Sequence, residues 1–257
     1  MWAAAAALVV FAFAAGASGL GGWNQGRGKT PPAAPPAPVA VPFAPGERLE
    51  YAASWNGTVT AATFKLAVVE RRDFFGRMAW HFQAQAKTID PVRMIFTLDD
   101  QFDSYTDAIT LESRQYEAYI REQSKHDDLV VPMSVKPDAS RGNAHVYLVL
   151  AGTQDPLGLM YRLRAQDWKK EPTLRLPVFD GKKFYEVEAT RESSGAALAV
   201  AGGNFVVTRV ALKVSQGGQE VANLKVRISF SEDAARVPVL FEAEAPFGTV
   251  RAELTAK

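Results

Sequence analysis

Apolar and polar residues alternate through most of the chain beyond residue 46, with the period of two that marks strands burying one face. Phe64, Leu66 and Val68 alternate with Lys65 and Ala67, and Trp80, Phe82, Ala84 and Ala86 alternate with His81, Gln83, Gln85 and Lys87. The rhythm returns in Val206, Thr208, Val210, Leu212 and Val214, in Leu224, Val226, Ile228 and Phe230, and in Val237, Val239, Phe241 and Ala243. Turn signals part these runs: Asn56-Gly57, Phe75-Gly76, Asp180-Gly181, Gly202-Gly203, Gln216-Gly217-Gly218 and Phe247-Gly248. Runs joined by such short turns, not by helices, make an antiparallel meander, and the available length holds about 11 or 12 strands. The predicted fold class is therefore mainly β. Apolar inner and polar outer faces suit a strongly curved sheet or open barrel, with a two-sheet β-sandwich as the alternative.

One helix interrupts this pattern. Asp155-Pro156 supplies an N-cap acceptor followed by proline at the first helical position. Leu157, Met160, Tyr161 and the stem of Arg164 then share a face, which predicts a short capping helix near 155–167. A second Asp-Pro, Asp90-Pro91, predicts one or two turns through Val92, Met94 and Ile95. Both are expected to plug or cover the open side of the sheet.

The first 45 residues follow other rules. Residues 1–20 carry no charged side chain, and the apolar run from Trp2 to Ala15 is shorter than the roughly 20 residues a spanning helix needs. With Ala15-Gly16-Ala17 as a small-x-small site, this reads as a signal peptide and predicts a periplasmic or otherwise exported location. Membrane contact is expected only through this segment, if it stays uncleaved. Residues 21–45 hold four glycines and seven of the 15 prolines, which predicts an extended linker. Within it, Gly28-Lys29-Thr30 mimics the end of a phosphate-binding loop. The first glycine of that motif would have to stand where Trp23 is, and two prolines follow where a helix must start. The remaining 46–257 read as a single β domain of 257 − 45 = 212 residues.

Composition narrows the function classes. With 29 Lys+Arg against 28 Asp+Glu, the net charge of +1 argues against a nucleic-acid partner. The absence of cysteine excludes disulfides, thiol nucleophiles, Cys-based metal centres and lipidation at a cysteine. No cofactor motif is present, and the isolated histidines His81, His126 and His145 lack metal-ligand spacing.

The densest polar segment is Asp99 to Asp107. As a strand it places Asp99, Gln101, Asp103, Tyr105 and Asp107 on one face, and Asp100, Phe102 and Ser104 on the other. Close carboxylates could split their pKa values as an acid and a base, or bind a cation. A calcium loop counted from Asp99 would need glycine and glutamate where Ser104 and Thr110 stand. A structural reading pairs the segment with Arg114 or Arg121. The aromatic residues, 11% of the chain, are read either as core packing or as the lining of an apolar cavity. Candidate ligand-binding residues are Asp100, Phe102, Asp103, Tyr105, Arg121 and Tyr161; no residue is assigned a catalytic or metal-binding role.

Several short motifs, taken in order, resemble a known family. They are Pro45-Gly46-Glu47-Arg48-Leu49-Glu50-Tyr51 with Ser54-Trp55-Asn56-Gly57, the Asp99–Asp107 segment, Asp155-Pro156-Leu157 with Met160-Tyr161-Arg162-Leu163-Arg164, Val178-Phe179-Asp180-Gly181-Lys182-Lys183, and Pro246-Phe247-Gly248-Thr249-Val250. Together they resemble the exported bacterial proteins of domain of unknown function 3108, over about residues 45 to 255. The resemblance implies an envelope-located β domain and carries no catalytic residues with it. Three functions are then expected, in order: a non-enzymatic domain binding an apolar, lipid-like envelope ligand or a protein partner; a structural or assembly factor of the periplasm; and a hydrolase using the Asp99–Asp107 region.

Overall fold

In the computed structural model, residues 37–257 are described apart from 58, 143, 246 and 247. The expected signal peptide and residues 21–36 of the expected linker lie outside them. The strands are β1 (Arg48–Trp55), β2 (Val59–Asp73), β3 (Met78–Thr88), β4 (Asp99–Asp107), β5 (Ser113–Glu122), β6 (Lys125–Ser134) and β7 (Tyr147–Leu148). After the helix α1 (Pro156–Ala165) come β8 (Thr173–Phe179), β9 (Phe184–Val200), β10 (Gly203–Gln216), β11 (Gln219–Glu220), β12 (Lys225–Ser231), β13 (Pro238–Ala245) and β14 (Gly248–Ala256).

All belong to a single sheet in the order β7-β6-β5-β4-β3-β2-β1-β14-β13-β12-β10-β9-β8, with β11 paired to β10. Neighbours are antiparallel except for the brief β6–β7 pair. One continuous sheet replaces the sandwich alternative, because β1 and β14 pair and join the two halves of the meander. The sheet is curved but open, with β7 and β8 as its edges. Across that seam, Gln154 bridges Val178, and the β8–β9 turn reaches β6. Gly181 makes this approach possible: at φ +92°, a Cβ there would lie 2.5 Å from Val131 Cγ2.

The inner face is the apolar one. Phe64, Leu66, Val68, Phe82, Ala84, Ile228, Phe241 and Leu254 are all within 4% of complete burial. One expected run changes phase. Val206 is 52% exposed while its neighbour Val207 is 4% exposed, because the β9–β10 register shifts on both sides of Arg209.

Helix α1 closes one end of the rolled sheet. Asp155 caps it: Oδ1 accepts from the Leu157 and Gly158 amides at 2.8 Å each, and Oδ2 accepts from the Ser104 and Ser113 hydroxyls. At the other end of the helix, Arg164 is fully buried and forms a two-point ion pair with Glu47 just before β1. It also donates to the carbonyls of Ala235 and Arg236 in the β12–β13 turn. The helix thus spans the opening from β4 and β5 to β1 and β12–β13. This is the helix end. The opposite, turn end carries the β1–β2, β5–β6, β8–β9 and β13–β14 turns and the loop 89–98.

Two sequence expectations are revised here. The 3-10 turn Val92–Met94 forms, but Met94 and Ile95 are 82% exposed and project outward instead of plugging the sheet. Phe43, placed in the linker, is buried at the helix end, where its ring meets Trp80, Phe82 and Tyr161 edge-on at 5.2–5.3 Å. Apolar residues, not the prolines around them, decide where packing starts.

Candidate functional site

Strand β4 carries four of the six candidate residues, and its pleat divides them. Asp100, Phe102, Ser104 and Thr106 point inward, and Gln101, Asp103 and Tyr105 point outward. Asp100 and Asp103 therefore stand on opposite faces of the sheet. The two do not form a pair of close carboxylates.

The outward cluster links its side chains to one another. Registers place Tyr105 between His81 and Gln115, Asp103 between Gln83 and Glu117, and Gln101 between Gln85 and Tyr119. Asp103 accepts from His81 Nε2 at 2.7 Å, from Gln83 at 3.0 Å and from Gln101 at 2.7 Å. Burial pushes its carboxyl up, but these three hydrogen bonds prevail and leave its pKa below the usual range. Tyr105 stacks on both Phe74 and His81, with the Arg72 guanidinium above the ring. Arg141 covers Phe74 and Phe75 in turn, so this is a small second core outside the sheet. His81 Nε2 is spent on Asp103, while His81 Nδ1 and Arg141 Nε are buried without a hydrogen-bond partner among the described residues.

The inward group is different. Asp100 is 2% exposed, and its Oδ1 accepts from the Arg121 amide at 2.7 Å. Oδ2, equally buried, has no hydrogen-bond partner among the described residues. Burial is the main cause that raises its pKa to about 6. The guanidinium of Arg121 does not help, because it turns out to Asp128 at 2.6 Å. The expected side-chain pairing of Arg121 with the acidic segment is thus replaced by its backbone amide. Arg114 reaches that segment only at Asp107, at 4.0 Å, and more closely meets Asp138.

Asp100 lies just inside the turn end. Ala86 is its direct neighbour on β3, and Ala118 faces the adjacent Phe102. Leu98, two residues earlier, bridges Glu122 and donates its amide to Thr88. Phe102 stacks at 6.4 Å on Tyr116, part of the same inner wall. Tyr161 is remote from this group. It belongs to α1 and stacks on Phe82 at 3.6 Å, where burial raises its pKa far above the ordinary value.

The candidate residues thus fall into three places. Asp100 and Phe102, with the Arg121 amide, form an inner group; Asp103 and Tyr105 an outer one; and Tyr161 belongs to the helix packing. His81, Ser104, Ser113, Glu47 and Arg164 were not singled out as site or anchor residues. Their partners come from strand register or from more than 40 residues away, which no local spacing encodes.

A model of the family "Protein of unknown function (DUF3108)" matches residues 50–255, most of the chain and nearly all of the sheet. The chain belongs to this family. No curated protein matches it. Among solved structures, this DUF3108 domain is similar to a beta-barrel-like protein of domain of unknown function DUF1849 from Brucella abortus. The TM-score is 0.52 and the identity 11%, over 84% of this chain and 98% of that one. That likeness concerns the fold alone, and it agrees with an open, barrel-like sheet. A protein from Bacteroides fragilis described as exported, with a YmcC-like fold, aligns at TM-score 0.37 and 10% identity, over 84% and 99% of the two chains. A protein from Parabacteroides distasonis described as a lipoprotein aligns at TM-score 0.37 and 7% identity, over 84% and 97%. Scores this low carry no argument about the DUF3108 chain.

Proposed function

We propose that this DUF3108 domain works outside the cytoplasm as a non-enzymatic binder of an amphiphilic, lipid-like ligand, taken in at the turn end of the rolled sheet. Export is supported by the uncharged apolar residues 1–20 with their small-x-small site. Binding is supported above all by the buried, half-partnered Asp100 carboxyl just inside the turn end. Buried polar atoms are nearly always paired, and of the unpaired buried side-chain atoms among the described residues Asp100 Oδ2 is the one carboxylate oxygen, the kind that gains most from a donor. The two ends of the sheet also differ. The helix end is sealed by α1 and interlocking rings, whereas the turn end is bordered by turns and by the exposed Met94–Ile95 pair. Apolar residues so exposed suit contact with acyl chains.

The test is native mass spectrometry of protein purified without detergent from the envelope of its own cells. An added mass of a few hundred daltons that organic extraction removes is the expected outcome. A homogeneous ligand-free spectrum overturns the reading.

A second reading, an assembly role through the sheet edge, is supported by the open seam. Val130, Leu148 and Phe184 beside it are 51%, 61% and 41% exposed. Crosslinking from position 130 in cells should then capture one partner, and recovery of none would count against it.

A further inference from the structure

We propose that the Asp100 carboxyl is the head-group receptor of the turn end, and that it selects amphiphiles whose head donates hydrogen bonds, long-chain amines above fatty acids. This rests on the ligand reading above and makes it specific. The observations are the side chain, its surroundings and its geometry.

The neighbourhood of Asp100 is short of donors. Its Oδ1 is held by one backbone amide, which fixes the carboxyl plane, and Oδ2 is left over. On its inner face the neighbours are the methyl group of Ala86 and, one step on, Ala118 and Phe102, none of which can donate. Neither nearby cation of the β5–β6 hairpin bonds the free oxygen. Arg121 turns its guanidinium out to Asp128, and Lys125, the exposed first residue of β6, acts on Asp100 only through space and gives it no hydrogen bond. Glu122 and Asp99 add negative charge nearby. A second carboxylate brought here as a fatty-acid head would meet the like charge of Asp100, Glu122 and Asp99, offset only by the exposed Lys125. An ammonium or hydroxyl head would supply the missing hydrogen bond and, for the ammonium, the missing countercharge. The exposed Met94–Ile95 pair in loop 89–98 lies at the same end, where the ligand's acyl chain would arrive.

The experiment titrates the purified full chain with two probes of equal length, dodecylamine and dodecanoic acid, below their micellar concentrations at pH 7.5, by calorimetry. Wild type is expected to bind the amine at least about tenfold more tightly, the scale of one hydrogen bond to a charged group. Asp100→Asn is expected to bring the two affinities within about twofold while retaining binding of the chain. Asp100→Leu serves as a second variant, and circular dichroism confirms that each is folded. Equal affinity for both probes in wild type, or an amine preference that survives in Asp100→Asn, overturns the head-group assignment and leaves the ligand reading standing. No binding of either probe to wild type overturns the ligand reading itself.

Discussion

At the scale of single residues, Asp100 and Asp155 contrast. Both are buried carboxyls on the inner side of the sheet. Asp155 receives two amides and two hydroxyls, so its burial serves the helix cap, while Asp100 receives one amide. Burial raises the pKa of both, of Asp155 despite its four hydrogen bonds and of the under-partnered Asp100. Its pKa is raised on folding from 3.8 to about 6. The fold accordingly prefers Asp100 protonated. That contribution is complete below about pH 4 and is lost as pH rises through 6, a span worth up to about 3 kcal/mol. Asp100→Asn is therefore expected to match wild type in urea unfolding at pH 4 and to exceed it by about 2–3 kcal/mol at pH 7.5. A difference that stays constant over this range would mean that Asp100 is not the titrating group. Gly158 sets a different limit. A Cβ there would lie 2.7 Å from Ser113 Oγ, so only glycine lets α1 approach β4 and β5 this closely.

At the scale of elements, α1 is held at both ends by partners distant in the chain. Its N-terminus is tied to β4 and β5 through Asp155, and its C-terminal turn is tied to β1 and to the β12–β13 turn through Arg164. The Arg164–Glu47 pair spans 117 residues and involves a guanidinium with no exposure. Removing one partner of a buried pair leaves an uncompensated charge, which costs far more than the pair itself contributes. Glu47→Ala should lower stability by about 3–5 kcal/mol, read from the urea midpoint. Glu47→Gln, which keeps one acceptor, should lose less. If Glu47→Ala unfolds at the wild-type midpoint, the pair does not anchor the helix. The elements also show how far pattern reading carries. The hairpins at Asn56-Gly57 and Phe75-Gly76 form where the turn residues foretold them, with positive φ at all four positions. The Asp155-Pro156 helix start did likewise. The phase of Val206 departs from the alternation, because a bulge depends on what the neighbouring strand requires and leaves no mark in an alternating run.

At the scale of the whole molecule, the question is where the domain begins. Val39 donates its amide to Ile109, Phe43 joins the ring cluster under α1, and Pro42 offers its carbonyl to Arg164. A chain starting at residue 46 should thus be less stable than one starting at 37 by about 3–5 kcal/mol, the cost of deleting a buried phenylalanine. Thermal unfolding of the two forms measures it, and identical midpoints would make residues 37–45 mere linker. The candidate site was legible only in part. Asp100 and Asp103 attracted attention together because they are close in sequence, yet the pleat sends them to opposite faces. The His81 that holds Asp103 comes from β3 across a loop whose length does not dictate the register.

The sequence by itself determined the strand-rich class, the placing of the turns, the one helix and its cap. These follow from side-chain periodicity and from local backbone preferences, which act over a few residues. The tertiary structure alone decided that β1 and β14 pair to make one open sheet, and that Phe43 belongs to the core. It also decided that Arg164 meets Glu47 and that a single oxygen of Asp100 is left without a partner. Each of these depends on contacts between residues far apart in the chain. Such contacts are selected by how well the whole surface buries and pairs its groups, a condition that no local stretch of residues expresses.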